Sequence, residues 1–339
     1  MKKVLIIGPR FYGYNQSISR AFTNLGYNTA VLDYLPGETG SFKERVAYHI
    51  SRNKKVFFEK QVSKFNQTIL SLASNFEPDL VFIIQGNQVH KETLEKLPRV
   101  KKILWMMDSI FRAEGAFRIR HYVDAIFSFE KTDVEKLWDA EKIRAKFLPL
   151  ALDETIYFPL VKRKDIDILF VGALYEQRIN MLSAIKKQFP NSKIKVYGRY
   201  YSPLRKPFYH LFRNDKDVFL NKNISPEEVN DLYNRSRICL NIHHTQSKYG
   251  VNQRFFEITG SKNFQLVDEN AFITDYFSQD EIMTFHSLPD LFSKIENLLF
   301  GKLETEHISE SGYKKIIEGH TFTHRIKEVV AELFKEEQV

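Results

Sequence analysis

Residues 166–189 read IDILFVGALYEQRINMLSAIKKQF. An apolar run, IDILFV, stops at Gly172, a short loop ends on Arg178, and the helix-length segment RINMLSAIKKQF follows. Strand, glycine turn and returning helix are the opening unit of a parallel α/β sheet, and here that unit begins midway along the chain.

The alternation extends in both directions. Upstream, KVLIIG, TAVLDY, LVFIIQG, KILWMM, AIFSF and AKFLPL are strand candidates, separated by segments long enough to return the chain. Downstream, KIKVYG, DVFLN, RICLNI, FQLVD and IMTF continue the series. Near-continuous apolar runs of this kind belong to strands covered on both faces. The pattern predicts α/β architecture with two Rossmann-like, doubly wound domains: an N-terminal domain over 1–152, a linker at 153–160, a C-terminal domain over 161–312, and a closing helix over 313–339 that packs back on the first domain. PLALDETIYFPL (149–160), with prolines near both ends and no helical period, marks the crossing. Ligands of such sheets lie beyond the carboxyl ends of the strands, so the two units are expected to face a central cleft.

Length and composition agree with two cores. The chain has 339 residues, 43% of them hydrophobic, which exceeds what one core usually holds and argues against global disorder. Fifty cationic against 42 anionic side chains leave +8, which favours anionic partners. Cys239, the single cysteine, lies in RICLNI, where a buried thiol is expected and no intrachain disulfide can form. MKKVLIIGPRFYG has too short an apolar run for a secretory signal, and no run approaches the ~18 residues of a membrane span, so a cytoplasmic location is expected. Two basic stretches with interleaved aromatics, 43–64 and 199–213, are either solvated helix faces or a peripheral contact with an anionic inner membrane surface. No RNA or DNA module accompanies the charge, which disfavours nucleic acid as a partner.

A phosphate near Gly172 and Arg178 would meet backbone N–H groups and a guanidinium. Gly198 and Arg199, which close KIKVYG in the same manner, join this donor-side set. Gly8 and Gly13 lie five apart with Pro9 between them, which does not fit a dinucleotide fingerprint and disfavours nicotinamide or flavin. Gly8, Arg10 and Tyr12 are read instead as an acceptor-side loop.

YGVNQRFFEITGSKNFQLVDE (249–269) carries the densest chemistry. Asn252 is an N-cap for a short helix whose first turn offers free N–H groups to an anion. Arg254 and Glu257 share a helical face. They suit a nucleoside diphosphate, with the guanidinium on phosphate oxygens and Glu257 accepting from ribose hydroxyls; an intrahelical ion pair is the alternative reading. His243 and His244 end RICLNI on the same side of the sheet, and one of them is expected to approach the donor. HHTQ lacks further ligands at metal spacing, so no metal is expected.

Taken in order, DILFVGALYEQR (167–178), SPEEVNDLYNRSRICLNIHH (225–244), NQRFFEITGSKNFQLVDE (252–269) and HTFTHRI (320–326) resemble the carboxyl-terminal domain of group 1 glycosyltransferases of the GT-B fold, most closely the spore-maturation-protein-like variant. EPDLVFIIQG (77–86), ILWMMDS (103–109) and DAIFSFEKTDVEKL (124–137) resemble that variant's first domain, and LPLALDETIYFP (148–159) its crossing. The resemblance implies transfer of a hexose from a UDP- or GDP-linked nucleotide sugar, without metal or other cofactor, to a glycan, protein or lipid-linked acceptor in surface or secreted polysaccharide biosynthesis. Glu257 matches the second acid of the family's two-glutamate motif. Where the first would stand, eight positions earlier, this chain has Tyr249, which puts the sugar contact and retaining stereochemistry in question.

In the first domain Asp108 follows ILWMM, and as the candidate general base it would take the acceptor proton. Its alternative role is to cap the next turn through Ser109. Glu130, after AIFSF, is a further acceptor-side candidate, with a surface position as its alternative. Within enzymes the competing function is a nucleotide-sugar epimerase of the same architecture. Outside them it is a catalytically silent glycan-binding or assembly protein.

Overall fold

The computed structural model describes residues 2–10, 13–34, 54–199, 215, 217–244 and 247–335. The chain forms two units, Met1–Leu150 with Phe322–Val339, and Ala151–Thr321.

Unit 1 is built on six parallel strands, β1 (Lys3–Pro9), β2 (Asn28–Tyr34), β3 (Leu80–Ile84), β4 (Lys101–Met106), β5 (Ala125–Ser128) and β6 (Ala145–Phe147), in the order β2-β1-β3-β4-β5-β6. Its helices are α1 (Tyr14–Asn24), α2 (Lys54–Phe76), α3 (Lys91–Lys96), α4 (Glu114–Ile119) and α5 (Lys131–Glu141). Alternate residues of the strands feed opposite layers. Leu5, Ile7, Val81, Ile83, Leu104 and Met106 build one core. On the other face Trp105, fully buried, meets Phe82 and Phe322 edge-on and donates Nε1–H to Leu148 O at 3.2 Å.

Unit 2 carries five parallel strands, β7 (Ile166–Val171), β8 (Ile194–Tyr197), β9 (Ser236–Asn241), β10 (Gln265–Asp268) and β11 (Met283–Phe285), in the order β11-β10-β9-β7-β8. The helices are α6 (Glu176–Gln188), α7 (Pro226–Asn234), α8 (Gln253–Gly260), α9 (Ala271–Tyr276), α10 (Leu288–Leu299) and α11 (Glu306–Gly319). Ile168, Phe170, Leu182, Val196, Leu240 and Ile295 belong to the core of one face. Phe255, Phe256, Phe272 and Phe277 stack in a tilted and edge-on cluster on the other.

Three segments depart from expectation. DVFLN (217–221) is not a strand: Val218 N–H and Phe219 N–H both turn back to Asp215 O, so only the single bridge Val196–Phe219 forms at the β8 edge. The segment 153–160 is clamped rather than free. Phe158 N–H and Leu160 N–H donate to the side chains of Asn230 and Asn234, one turn apart on α7, at 3.3 and 2.7 Å, and Asn234 Nδ2 returns a bond to Phe158 O at 3.1 Å. The interval 313–339 is two elements. α11 ends at Gly319, Thr321 bridges to Leu152 within unit 2, and α12 (Phe322–Lys335) packs on α1 in unit 1. Arg325, buried on α12, donates Nε–H to Pro149 O and Leu150 O, satisfying carbonyls at the end of unit 1's main segment.

Cys239 is buried, as expected, and burial pushes its thiol up to about 12. No helix among the described residues is long and apolar enough to cross a membrane.

Candidate functional site

The carboxyl ends of β7, β8 and β9 bring together most of the donor-side residues. Gly172 closes β7, and its N–H donates to Tyr197 O at 2.9 Å. That donor is engaged in the sheet edge, so the phosphate contact expected of Gly172 itself has to be corrected: the residue supplies a turn instead. Gly198 makes the turn possible. Its φ is +149°, and a Cβ there would stand 1.9 Å from Gly172 O.

Two guanidiniums occupy the carbonyls on either side of Gly172. Arg254 donates Nε–H to Val171 O at 3.2 Å, and Arg178 donates Nη1–H to Ala173 O at 2.7 Å and Nη2–H to Ile242 O. Burial lowers the pKa of Arg178 from its ordinary value; Tyr175 and Asp268 oppose this, and the nearby Arg254 adds to it. Two cations so placed make the end of β7 an attractive place for an anion.

Asn252 holds the N-terminus of α8. Its Oδ1 accepts from Phe255 N–H at 3.2 Å and its Nδ2 donates to Asn241 Oδ1 at 2.8 Å. Asn241 Nδ2 in turn donates to Gln265 Oε1, and Gln265 Nε2 reaches Phe255 O and Thr259 Oγ1. This run of side-chain amides fastens the helix to β9 and β10, which sets the position of Arg254.

Glu257 is 1% exposed. Its Oε2 accepts from Arg254 Nη1 and from Tyr233 Oη, at 3.2 and 3.3 Å, while among the described residues Oε1 has no hydrogen-bond partner. Burial raises the carboxyl pKa; Arg254, then Tyr233 and Tyr157, pull it back. The intrahelical pair is thus present, and the carboxylate sits beneath the arginine.

Tyr233 and Tyr157 were missed from the sequence. Their rings lie 6.2 Å apart, and desolvation, then Glu257, raises the Tyr233 hydroxyl well above its usual range. Tyr157 lies in the clamped 153–160 segment. YF between two prolines gave no signal beyond a crossing.

His243 and Asp268 form a second arrangement at the ends of β9 and β10. Asp268 Oδ1 and Oδ2 accept from His243 N–H at 2.8 and 3.0 Å, and Oδ1 lies 2.7 Å from Nδ1. His243 is buried and its Nε2 has no partner among the described residues. His243, Asp268, Arg178, Tyr175, His244 and Glu269 line a cavity of about 230 Å³. Asp268, Glu269 and Asn270 also border a neighbouring cavity of about 540 Å³ that reaches Lys248 and His286. His244 packs edge-on against Tyr175.

The remaining candidates fall elsewhere. Tyr249 donates its hydroxyl to Asp275 Oδ2 at 2.6 Å; burial first, and Asp275 second, raise its pKa. Arg199 is exposed, and 200–213, with the rest of that basic stretch, lies outside the described residues, as do Tyr12 and 43–53.

In unit 1, Gly8 is buried within β1 against Asn15, whose Oδ1 a Cβ would meet at 2.4 Å; its part is packing rather than an open loop. Arg10 is exposed and donates N–H to Tyr34 O. Asp108 is half-exposed and accepts from Ser109 N–H at 2.8 Å and from Arg112 at 3.2 Å, so the capping role is present. Glu130 is 3% exposed, which corrects the surface alternative: it caps α5 by accepting from Thr132 N–H and Oγ1. Asp133 was missed. It is buried, accepts from Ser109 Oγ and Ile110 N–H, and burial raises its pKa.

Comparison with known proteins agrees with this architecture. Residues 177–331 match the family described as glycosyl transferase-like. No curated protein matches in sequence. Among solved structures, sucrose-phosphate synthase from Thermosynechococcus elongatus superposes with a TM-score of 0.70 at 11% identity, over 99% of this chain and 100% of that one. Anabaena HepE in complex with UDP-glucose gives 0.67 at 10% identity, over 99% and 100%. A UDP-N-acetylglucosamine 2-epimerase-like structure from Listeria monocytogenes gives 0.58 at 12% identity, over 99% and 98%. The fold is GT-B.

Proposed function

We propose that the protein is a glycosyltransferase that takes a sugar from a nucleotide-sugar donor, with unit 2 binding the donor. The observation that carries this is the pair Arg178 and Arg254 on the carbonyls flanking Gly172, beside a cavity of about 230 Å³. Two fixed guanidiniums next to a partly enclosed polar space suit a diphosphate that leads into a hydroxylated group. The match of 177–331 to a glycosyl transferase-like family supports the reading, and HepE is a neighbour captured with UDP-glucose.

In this reading the diphosphate charge is balanced by Arg178, Arg254 and the first turn of α8 rather than by a metal. Glu257, beneath Arg254, accepts from ribose hydroxyls once the donor draws the guanidinium upward. The sugar is a hexose and the acceptor a glycan or lipid-linked hydroxyl of a surface or secreted polysaccharide. The enzyme works in the cytoplasm, at the inner face of an anionic membrane. Asp108 is the candidate base.

A thermal-shift series with UDP, GDP and their sugars tests the donor site, since a ligand specific for the native state raises its stability by mass action. Transfer from the stabilising sugar nucleotide to an added acceptor then identifies the transferase. Epimerised donor formed without any acceptor would replace this reading with epimerisation. Stabilisation without turnover would leave a binding protein.

A further inference from the structure

At the ends of β9 and β10 stands a buried imidazole with one nitrogen fixed and the other unanswered. Asp268, as a carboxylate, only accepts, so its bond with His243 Nδ1 fixes the hydrogen on that nitrogen. Nε2 then presents a lone pair, buried and without a partner among the described residues. An unanswered polar atom in a buried side chain that lines a cavity points to a group the cavity receives.

The charged surroundings say which group. Arg178, from α6, lines the same cavity, and its buried Nε is also without a partner among the described residues. Arg254 lies close enough to act on Arg178 electrostatically. Asp268 and Glu269 come from the end of β10, His244 follows His243 directly, and Lys248 borders the adjoining cavity. The cations stand at the β7 side and the carboxylates at the β10 side, with His243 between them. An anion drawn to Arg178 therefore comes up against Nε2, where a bare lone pair repels it and a protonated nitrogen donates to it.

The geometry points to His243 as a proton-coupled phosphoryl contact: a diphosphate bound beside Arg178 brings one proton from solvent onto Nε2, with Asp268 as the positioning residue that holds the ring. This rests on the donor-site reading above and adds a pH dependence to it. Histidine is the side chain whose charge changes in the neutral range, so the coupling falls where a cell can use it.

Calorimetric titration with UDP-glucose and GDP-glucose, in buffers of different ionisation enthalpy, tests the coupling. Their phosphodiester charges do not change across neutral pH, so proton uptake reports the protein. The wild-type protein is expected to take up as much as one proton per ligand and to bind roughly tenfold tighter near pH 6 than near pH 8. His243→Gln should bind with a flat pH profile, and Asp268→Asn should shift the profile to lower pH; a merely structural role would change melting temperature and leave the profile in place. Binding without proton uptake, or tighter binding as pH rises, overturns the coupling alone, the latter showing that Nε2 accepts from a hydroxyl. No binding of either sugar nucleotide at any pH overturns the donor-site reading and the coupling together. The wild-type buffer series decides even if both variants fail to fold.

Discussion

Arg254 and Glu257 meet one helical turn apart, Nη1 to Oε2 at 3.2 Å, with the arginine side chain 18% exposed and the glutamate 1%. The pair has a polarity: the cation is on the outside and the carboxylate beneath it. Arg254→Ala is expected to weaken binding of a nucleoside diphosphate by about 1.5–3 kcal/mol, the range for hydrogen bonds to charged groups, and to change binding of the bare nucleoside much less. Calorimetry with both ligands checks it. Equal losses for the two would mean that the helix, rather than the anion contact, had been damaged.

The buried carboxyl also makes stability depend on pH. Burial raises the Glu257 pKa above 4.5, so the native state keeps a proton that the unfolded chain releases. Above 4.5 and up to the folded value the native state binds more protons, and unfolding free energy falls as pH rises through that window. Glu257→Gln lacks this titration. Denaturant unfolding of both proteins from about pH 4 upward should therefore show the variant gaining on the wild type across the window. A constant difference would contradict it.

Gly198 is the backbone position on which the guanidinium pair depends. Gly198→Ala places a Cβ against Gly172 O, 1.9 Å away, at a φ of +149°. The expected loss of stability is about 1–3 kcal/mol. Because Val171 O and Ala173 O flank the displaced glycine, ligand affinity should fall as well. Wild-type melting temperature together with wild-type affinity would show that the turn relaxes without moving the arginines.

Asp108 decides whether unit 1 supplies a base. Its carboxylate is half-exposed and already accepts from Ser109 N–H and Arg112. If it takes the acceptor proton, Asp108→Asn should lower turnover roughly 100- to 10,000-fold with donor affinity nearly unchanged. Near-normal turnover would leave Asp108 as a turn cap only. Product of retained anomeric configuration would count separately against an inverting, base-assisted transfer.

Eleven of the twelve strand candidates form strands, because a strand covered on both faces is a local apolar run: LVFII is buried along its whole length in β3. The exception, DVFLN, has the right composition, but a turn on Asp215 O takes up its N–H groups. The cap of α8 was legible for the same local reason, since Asn252 and Phe255 are three residues apart. Glu130 misleads at the level of sequence because a charged residue after a strand gives no sign of whether the next helix will cover it.

What the sequence determined by itself, then, is whatever is written within a few residues: strand and helix runs, the glycine turns, the cap, and the Arg254–Glu257 spacing. Only the tertiary structure decided which of these residues share a site. Asp268 reaches His243 across 25 positions, Tyr233 reaches Glu257 across 24, and Arg254 reaches Val171 O across 83. Those partners meet because parallel strands joined by helices return their carboxyl ends to one edge of the sheet, so residues far apart in the chain become neighbours there. Hydrophobic burial drives that return, and it is indifferent to which polar side chain each loop carries to the edge.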